Sequence, residues 1–102
     1  MGFSSGSIRV DTAIIGVSGL TAKDGLSTTV FEEASMVAQL ISYARRTMVL
    51  ADASKFGVGA FAQIAPLGAV DILVTDSSPP PELGQVLIQA GVQVVVAPPL
   101  PL

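Results

Sequence analysis

Hydrophobic and polar positions alternate along this chain in blocks that predict a succession of strands and helices. Thr12 to Val17 is an unbroken apolar run of strand type, bounded by Asp11 and a Ser18-Gly19 turn. A continuous run of this kind predicts a strand buried on both faces, as in a parallel sheet. Gly19 to Thr29 is polar and turn-rich, with Asp24-Gly25 as the expected turn. Thr29-Val30-Phe31-Glu32 has capping-box spacing and predicts a helix start. Beyond it Ala34, Val37, Ala38, Ile41 and Ala44 share one helical face, and Glu32, Ser35, Gln39, Ser42 and Arg46 share the other. Acids at the start and Arg45-Arg46 at the end suit the helix dipole.

A second strand is expected over about Thr47 to Ala51, followed by a loop from Asp52 to Gly59. Ala60 to Ile64 reads as a short strand stopped by Pro66, and Val70 to Thr75 as a stronger one ending at Asp76-Ser77-Ser78. Pro79-Pro80-Pro81 opens a helix through about Ala90, because proline fits a first helical turn. Gly91 is placed to stop it. Val92 to Ala97 is the last strand. The predicted order is β-α-β-β-β-α-β, an α/β chain with a mainly parallel open sheet flanked by helices. Three strand ends then carry small or polar groups toward one sheet edge: Ser18-Gly19, Asp52-Ser54-Lys55 and Asp76-Ser77-Ser78. Ligands gather at that edge of open α/β sheets. A lead-in over residues 1–10, expected to be partly disordered, a domain over 11–97 and a frayed tail over 98–102 complete the reading.

Composition narrows the chemistry. With 102 residues the chain is one domain at most. Half of it is hydrophobic and 13% charged, which predicts surface covered by a partner subunit or by polypeptide outside this sequence. The net charge of −3 and the lack of any basic cluster beyond Arg45-Arg46 leave no basic face for nucleic acid. Any DNA-binding role must reside outside this sequence. Without Cys there is no disulfide or thiolate nucleophile, and without His there is no Ser-His-Asp triad or imidazole metal ligand. No metal or cofactor is expected. Met1 to Ser7 has no signal-peptide pattern. The uncharged stretch from Leu83 carries three glutamines and ends in prolines, so it does not read as a membrane span, and a cytoplasmic location is expected.

Val49 to Gly57 (VLADASKFG) holds the most chemistry: an apolar run ends in an acid, followed by a hydroxyl, a lone lysine and a glycine. Lys55 is the last basic residue, and the later charges are Asp71, Asp76 and Glu82. Lys55 is therefore the natural partner for an anion. Other readings remain open at this level. Asp52 and Ser54 also suit turn capping, Gly16 and Gly19 do not form a dinucleotide fingerprint, and Glu32-Glu33 reads as an exposed helix start.

Five segments, this stretch among them, carry a resemblance. Asp11 to Leu20 (DTAIIGVSGL), Gly25-Leu26-Ser27-Thr28, Glu32-Glu33-Ala34, Leu50 to Gly57 (LADASKFG) and Ile72 to Asp76 (ILVTD) follow in order the pattern of the sensor domain of DeoR-family transcriptional regulators. The resemblance spans Asp11 to Ala97. It implies a fold like that of type A ribose-5-phosphate isomerases and CoA transferases, and a role in sensing phosphorylated sugars or related metabolites for a repressor. It also implies a winged helix-turn-helix and a first sensor segment with a Gly-Gly turn, neither present here, so that Met1 would begin a truncated product. The implied ligand-binding residues are Ser18, Gly19, Gly25, Ser27, Thr28, Asp52, Ser54 and Lys55. Lys55 would pair with an anionic group, backbone amides around Ser18-Gly19 and Gly25-Ser27-Thr28 would donate to it, and Asp52 would orient Lys55 or accept a sugar hydroxyl. The isomerases carry an acidic segment where this chain reads Gly16-Val17-Ser18-Gly19, and a catalytic glutamate where it reads Met36-Val37-Ala38. Binding without catalysis is expected, since a proton-shuttling isomerase needs a carboxylate at its substrate. Many regulators of the family carry a lysine at the place of Val37. The competing readings are an isomerase-like enzyme and an oligomerisation module with a vestigial pocket. Self-association is expected in either case.

Overall fold

The computed structural model describes residues 9–97. The lead-in and tail expectations for residues 1–8 and 98–102 lie outside them. Seven strands and two α-helices follow in the order β1 (Val10–Gly16), β2 (Gly19–Thr21), β3 (Gly25–Thr28), α1 (Phe31–Tyr43), β4 (Ala44–Leu50), β5 (Ala62–Ala65), β6 (Ile72–Thr75), α2 (Pro81–Gln89) and β7 (Gln93–Val96). Single 3-10 turns at Ala53–Lys55 and Leu67–Ala69 interrupt the longer connections.

Strands β1, β4, β6 and β7 form a parallel sheet in that order, bearing out the α/β expectation. Strands β2, β3 and β5 form a separate antiparallel sheet. The hairpin β2–β3 corrects the reading of Gly19–Thr29 as turn alone, and β5 joins this sheet rather than the parallel one. The signal was weak because β2 and β3 are short and built of Gly, Leu, Ser and Thr. Their stability comes from pairing with β5 and from burial of every residue from Gly25 to Thr28. The expected turn at Asp24-Gly25 is present, with the Asp24 amide donating to Thr21 Oγ1 at 2.8 Å. Gly25 has φ +73°, and a Cβ there would run into the Ala65 carbonyl and Pro66.

The monotonic strand order has a topological consequence. Right-handed crossovers between successive parallel strands place every connection on one face when the order never reverses. That is the packing observed. Ile15, Val49 and Leu73, which share one face by register, are buried in one core with Ala34 of α1, Leu83 and Leu87 of α2, and Leu20, Leu26 and Ile64 of the small sheet. On the opposite face Ile14, Leu50 and Val95 are exposed, and Met48, Ile72 and Val74 are half-buried. The expectation of strands buried on both faces is therefore corrected: the apolar runs are real, but only one of their two faces is covered.

Helix α1 buries Ala34 and half-buries Val37, Ala38 and Ile41, while Glu32, Ser35, Gln39 and Ser42 face solvent, as its periodicity predicts. Its ends differ from expectation. The N-cap is Val30, with no side-chain cap, so the capping box does not form. Its C-cap, Ala44, has extended backbone and begins β4 directly, which moves Arg45 and Arg46 out of the helix into the strand. Helix α2 starts with Pro81 at its first turn and ends as predicted. Gly91 adopts φ +82°, its amide donates to Ile88 O and the Val92 amide to Leu87 O at 2.9 Å. These paired bonds, with Val92 and Leu87 both buried, make a Schellman closure.

Candidate functional site

The four parallel strands end along one edge, and two loops meet there. The Ala51 amide continues the β4–β6 pairing by donating to Val74 O at 3.0 Å, and the chain then leaves the sheet at Asp52. Asp52 is the N-cap of the Ala53–Lys55 turn, its carboxylate accepting from the Ser54 amide at 2.9 Å and from the Ser54 hydroxyl. The capping role open to both residues is therefore realised by Asp52, while the Ser54 hydroxyl donates to the Asp52 carboxylate. Asp76, just beyond β6, accepts from the Ala53 amide through Oδ1 at 2.9 Å. Leu50, Ala51, Asp52, Val74, Thr75, Asp76 and Ala97 line an open depression of about 390 Å³ at this edge.

Every backbone amide from Ala53 to Val58 is hydrogen-bonded. Beyond the Ala53 and Ser54 amides, Lys55 N donates to Asp52 O at 3.0 Å, Phe56 N to Ala53 O at 3.3 Å, Gly57 N to Leu20 O at 2.9 Å and Val58 N to Lys55 O at 3.3 Å. Gly57 takes φ +79°, and Phe56 bridges to Leu20 of β2. The loop is thus held between the parallel sheet, through Asp76, and the small sheet, through Leu20. Its amides from Ala53 to Val58 are consumed, so the Lys55 ammonium is the cationic donor this turn offers. Lys55 is half-buried. The Asp52 carboxyl is held below its ordinary range by the Ser54 hydroxyl, by the Ser54 amide and by the Lys55 charge, in falling order.

The sequence-derived site residues separate into three groups. Asp52, Ser54 and Lys55 lie together in one turn. Ser18, Gly19 and Ser27 abut the segment that follows it. Ser27 Oγ accepts from the Ala60 amide at 3.0 Å, the Ser18 amide donates to Ser27 O at 2.9 Å, and a Cβ on Gly19 would collide with the Val58 carbonyl. Ser27 is 1% exposed, so its hydroxyl serves the fold. Gly25 and Thr28 stand apart: Gly25 packs against Ala65-Pro66, and Thr28, buried, pairs with Ala62 and accepts from the Val30 amide at 3.4 Å. Asp76 was legible as a strand-end acid, but its reach to Ala53, 23 residues earlier, appears only in the fold. Among the described residues no group of three or more acids gathers as a metal site. No helix among them is long and apolar enough to cross a membrane.

Comparison with known proteins places the chain. The profile of the DeoR C terminal sensor domain matches residues 4–77. The chain is 34% identical over 90 residues to the HTH-type transcriptional repressor GlcR of Bacillus subtilis, covering 88% of the chain and 34% of that protein. It is 32% identical over 85 residues to the glycerol-3-phosphate regulon repressor of Escherichia coli, covering 83% of the chain and 34% of the repressor. The HTH-type transcriptional regulator GlpR of Haloferax volcanii is likewise 32% identical over 85 residues. The chain spans about a third of the length of these relatives. With well over half of its sequence inside the family profile, this chain belongs to the DeoR C-terminal sensor domain family.

Proposed function

We propose that this chain is the effector-sensing portion of a DNA-binding transcriptional repressor, and that its effector is a phosphorylated sugar or a related anionic metabolite. The observation that carries this reading is the Lys55 turn: one cation held on a hydrogen-bonded loop at the C-terminal edge of a parallel sheet, in a member of a sensor family. Lys55 pairs with the anionic group by a charge-assisted bond. Asp52, ionised and already oriented by Ser54, accepts a hydroxyl of the ligand or holds Lys55. Ser18 and Gly19 form the adjoining wall. DNA is contacted through a separate domain, since this chain offers no basic face, and the protein works in the cytoplasm.

Sensing rather than turnover fits the residues present. The positions that would carry catalytic carboxylates read Gly16-Val17-Ser18-Gly19 and Met36-Val37-Ala38. Effector binding shifts an equilibrium between DNA-competent and DNA-incompetent arrangements. The bare apolar face of the parallel sheet supports the further reading that this surface is covered by a partner, a second copy included.

The test uses the intact regulator carrying Lys55→Ala. Operator binding should persist while the inducer's effect is lost. The name of the Escherichia coli relative makes sn-glycerol 3-phosphate a first probe within a panel of phosphorylated metabolites. Loss of one hydrogen-bonded charge pair is worth ~1.5–3 kcal/mol, or roughly ten- to hundredfold in affinity. Unchanged induction by the variant would remove Lys55 from the site, and turnover of a sugar phosphate would make the protein an enzyme.

A further inference from the structure

We infer that Asp76 is the positioning residue of the ligand site: its carboxylate fixes the Asp52–Gly57 loop, and with it Lys55, against the end of β6. The inference rests on the reading of Lys55 as the anion-binding group.

The hydrogen-bond pattern of the loop carries the argument. Six consecutive backbone amides, from Ala53 to Val58, each have an acceptor. Four of those acceptors lie inside the loop itself: Asp52 Oδ1, Asp52 O, Ala53 O and Lys55 O. Such bonds shape the turn but do not say where it sits. Only Asp76 Oδ1 and Leu20 O come from outside. Leu20 ties the far end, at Gly57, to the small sheet. Asp76 ties the near end, at Ala53, to the parallel sheet, and among the described residues no other hydrogen bond of the Ala53–Val58 amides does so. Lys55 stands between the two tethers. Without the Asp76 bond the turn keeps its internal bonds, but its near end is held to the parallel sheet only through the chain at Ala51, whose amide donates to Val74 O.

Electrostatics makes the idea separable from its simplest rival. A carboxylate beside an anion site weakens anion binding through like-charge repulsion. If Asp76 were only a bystander charge, removing it would strengthen binding of a phosphate. If it positions Lys55, removing it weakens binding, because the ammonium loses its fixed place. Asp76→Asn separates the two effects. The amide keeps an acceptor oxygen for the Ala53 N–H and discards the charge.

The experiment compares the wild-type chain with Asp76→Ala and Asp76→Asn. Affinity is measured for inorganic phosphate and sn-glycerol 3-phosphate, and backbone amide hydrogen exchange is measured residue by residue. Asp76→Ala should bind the probes at least several-fold more weakly than wild type. Its Ala53, Ser54 and Lys55 amides should exchange at least tenfold faster, with those of Val49 and Leu73 unchanged. Asp76→Asn should bind as well as wild type or better and keep the loop protected. Equal or tighter binding by Asp76→Ala overturns the inference, as does unchanged exchange at Ala53. Faster exchange throughout β4 and β6 in Asp76→Ala would also overturn it, by showing a general structural role. A wild-type chain that binds neither probe overturns the site reading and any ligand role for Asp76. The exchange data would then still report whether the tether exists.

Discussion

Asp52 shows how a single side chain can serve a turn and a site together. Its carboxylate satisfies the Ser54 amide and hydroxyl, so the group that would meet a ligand is already oriented and ionised. Because these partners favour the charged form, the folded-state pKa lies below the ordinary 3.8. A depressed carboxyl contributes stability above its unfolded value and loses that contribution as pH falls through the folded value. The turn is therefore expected to be intact at neutral pH and to loosen only in acid below 3.8. A carboxyl 13C NMR titration checks this directly. The Asp52 midpoint should lie below 3.8 and move upward in Ser54→Ala. A wild-type midpoint at or above 3.8 would mean that the Ser54 bonds do not hold the carboxylate in solution.

At the scale of elements, helix α2 was readable almost residue by residue, whereas α1 was readable only through its middle. The difference lies in what ends them. Pro81 and Gly91 act through their own backbone preferences, which neighbours do not change. The ends of α1 are set by context: β4 begins at Ala44 because its backbone pairs with β1, and that pairing overrides the attraction of Arg45 and Arg46 for a helix C-terminus. Gly91→Ala puts a side chain at φ +82° and should cost about 1 kcal/mol. For a domain of this size that lowers Tm by roughly 4–8 °C in a thermal melt followed by circular dichroism. The space around Gly91 is open, so the loss comes from backbone conformation alone. A variant that melts with the wild type would show that the Schellman closure contributes nothing.

On the scale of the whole molecule, the one-sided sheet is the dominant feature. Ile14 is 61% exposed and Leu50 46%, although their strand neighbours Ile15 and Val49, which point to the other face, are buried. Parallel sheets are rarely left bare on one face, and the resulting apolar surface is expected to drive association in dilute solution. Sedimentation equilibrium of this chain over a range of concentrations should give an average mass above that of the monomer. Leu50→Lys, which places a charge on the bare face without touching the core, should bring it down. A monomer at every concentration, or an assembly indifferent to Leu50→Lys, would mean that this face is not the contact.

The sequence by itself determined the α/β class, the positions of β1, β4, β6 and β7, the interior of α1 and both ends of α2. It also singled out Asp52, Ser54 and Lys55. These follow from local causes: hydrophobic period, proline and glycine backbone preferences, and the capping chemistry of a short acid and a hydroxyl. Tertiary structure alone decided that Gly19–Thr28 folds as a hairpin, because strands of three and four residues are stabilised by partners distant in sequence. It alone decided that Ser27 and Thr28 are buried structural groups, and that Gly25 lies away from the Lys55 turn. The same is true of the reach from Asp76 to Ala53 and of the bare face of the sheet. Each of these depends on strand order and register, which bring together residues whose separation along the chain carries no local signal.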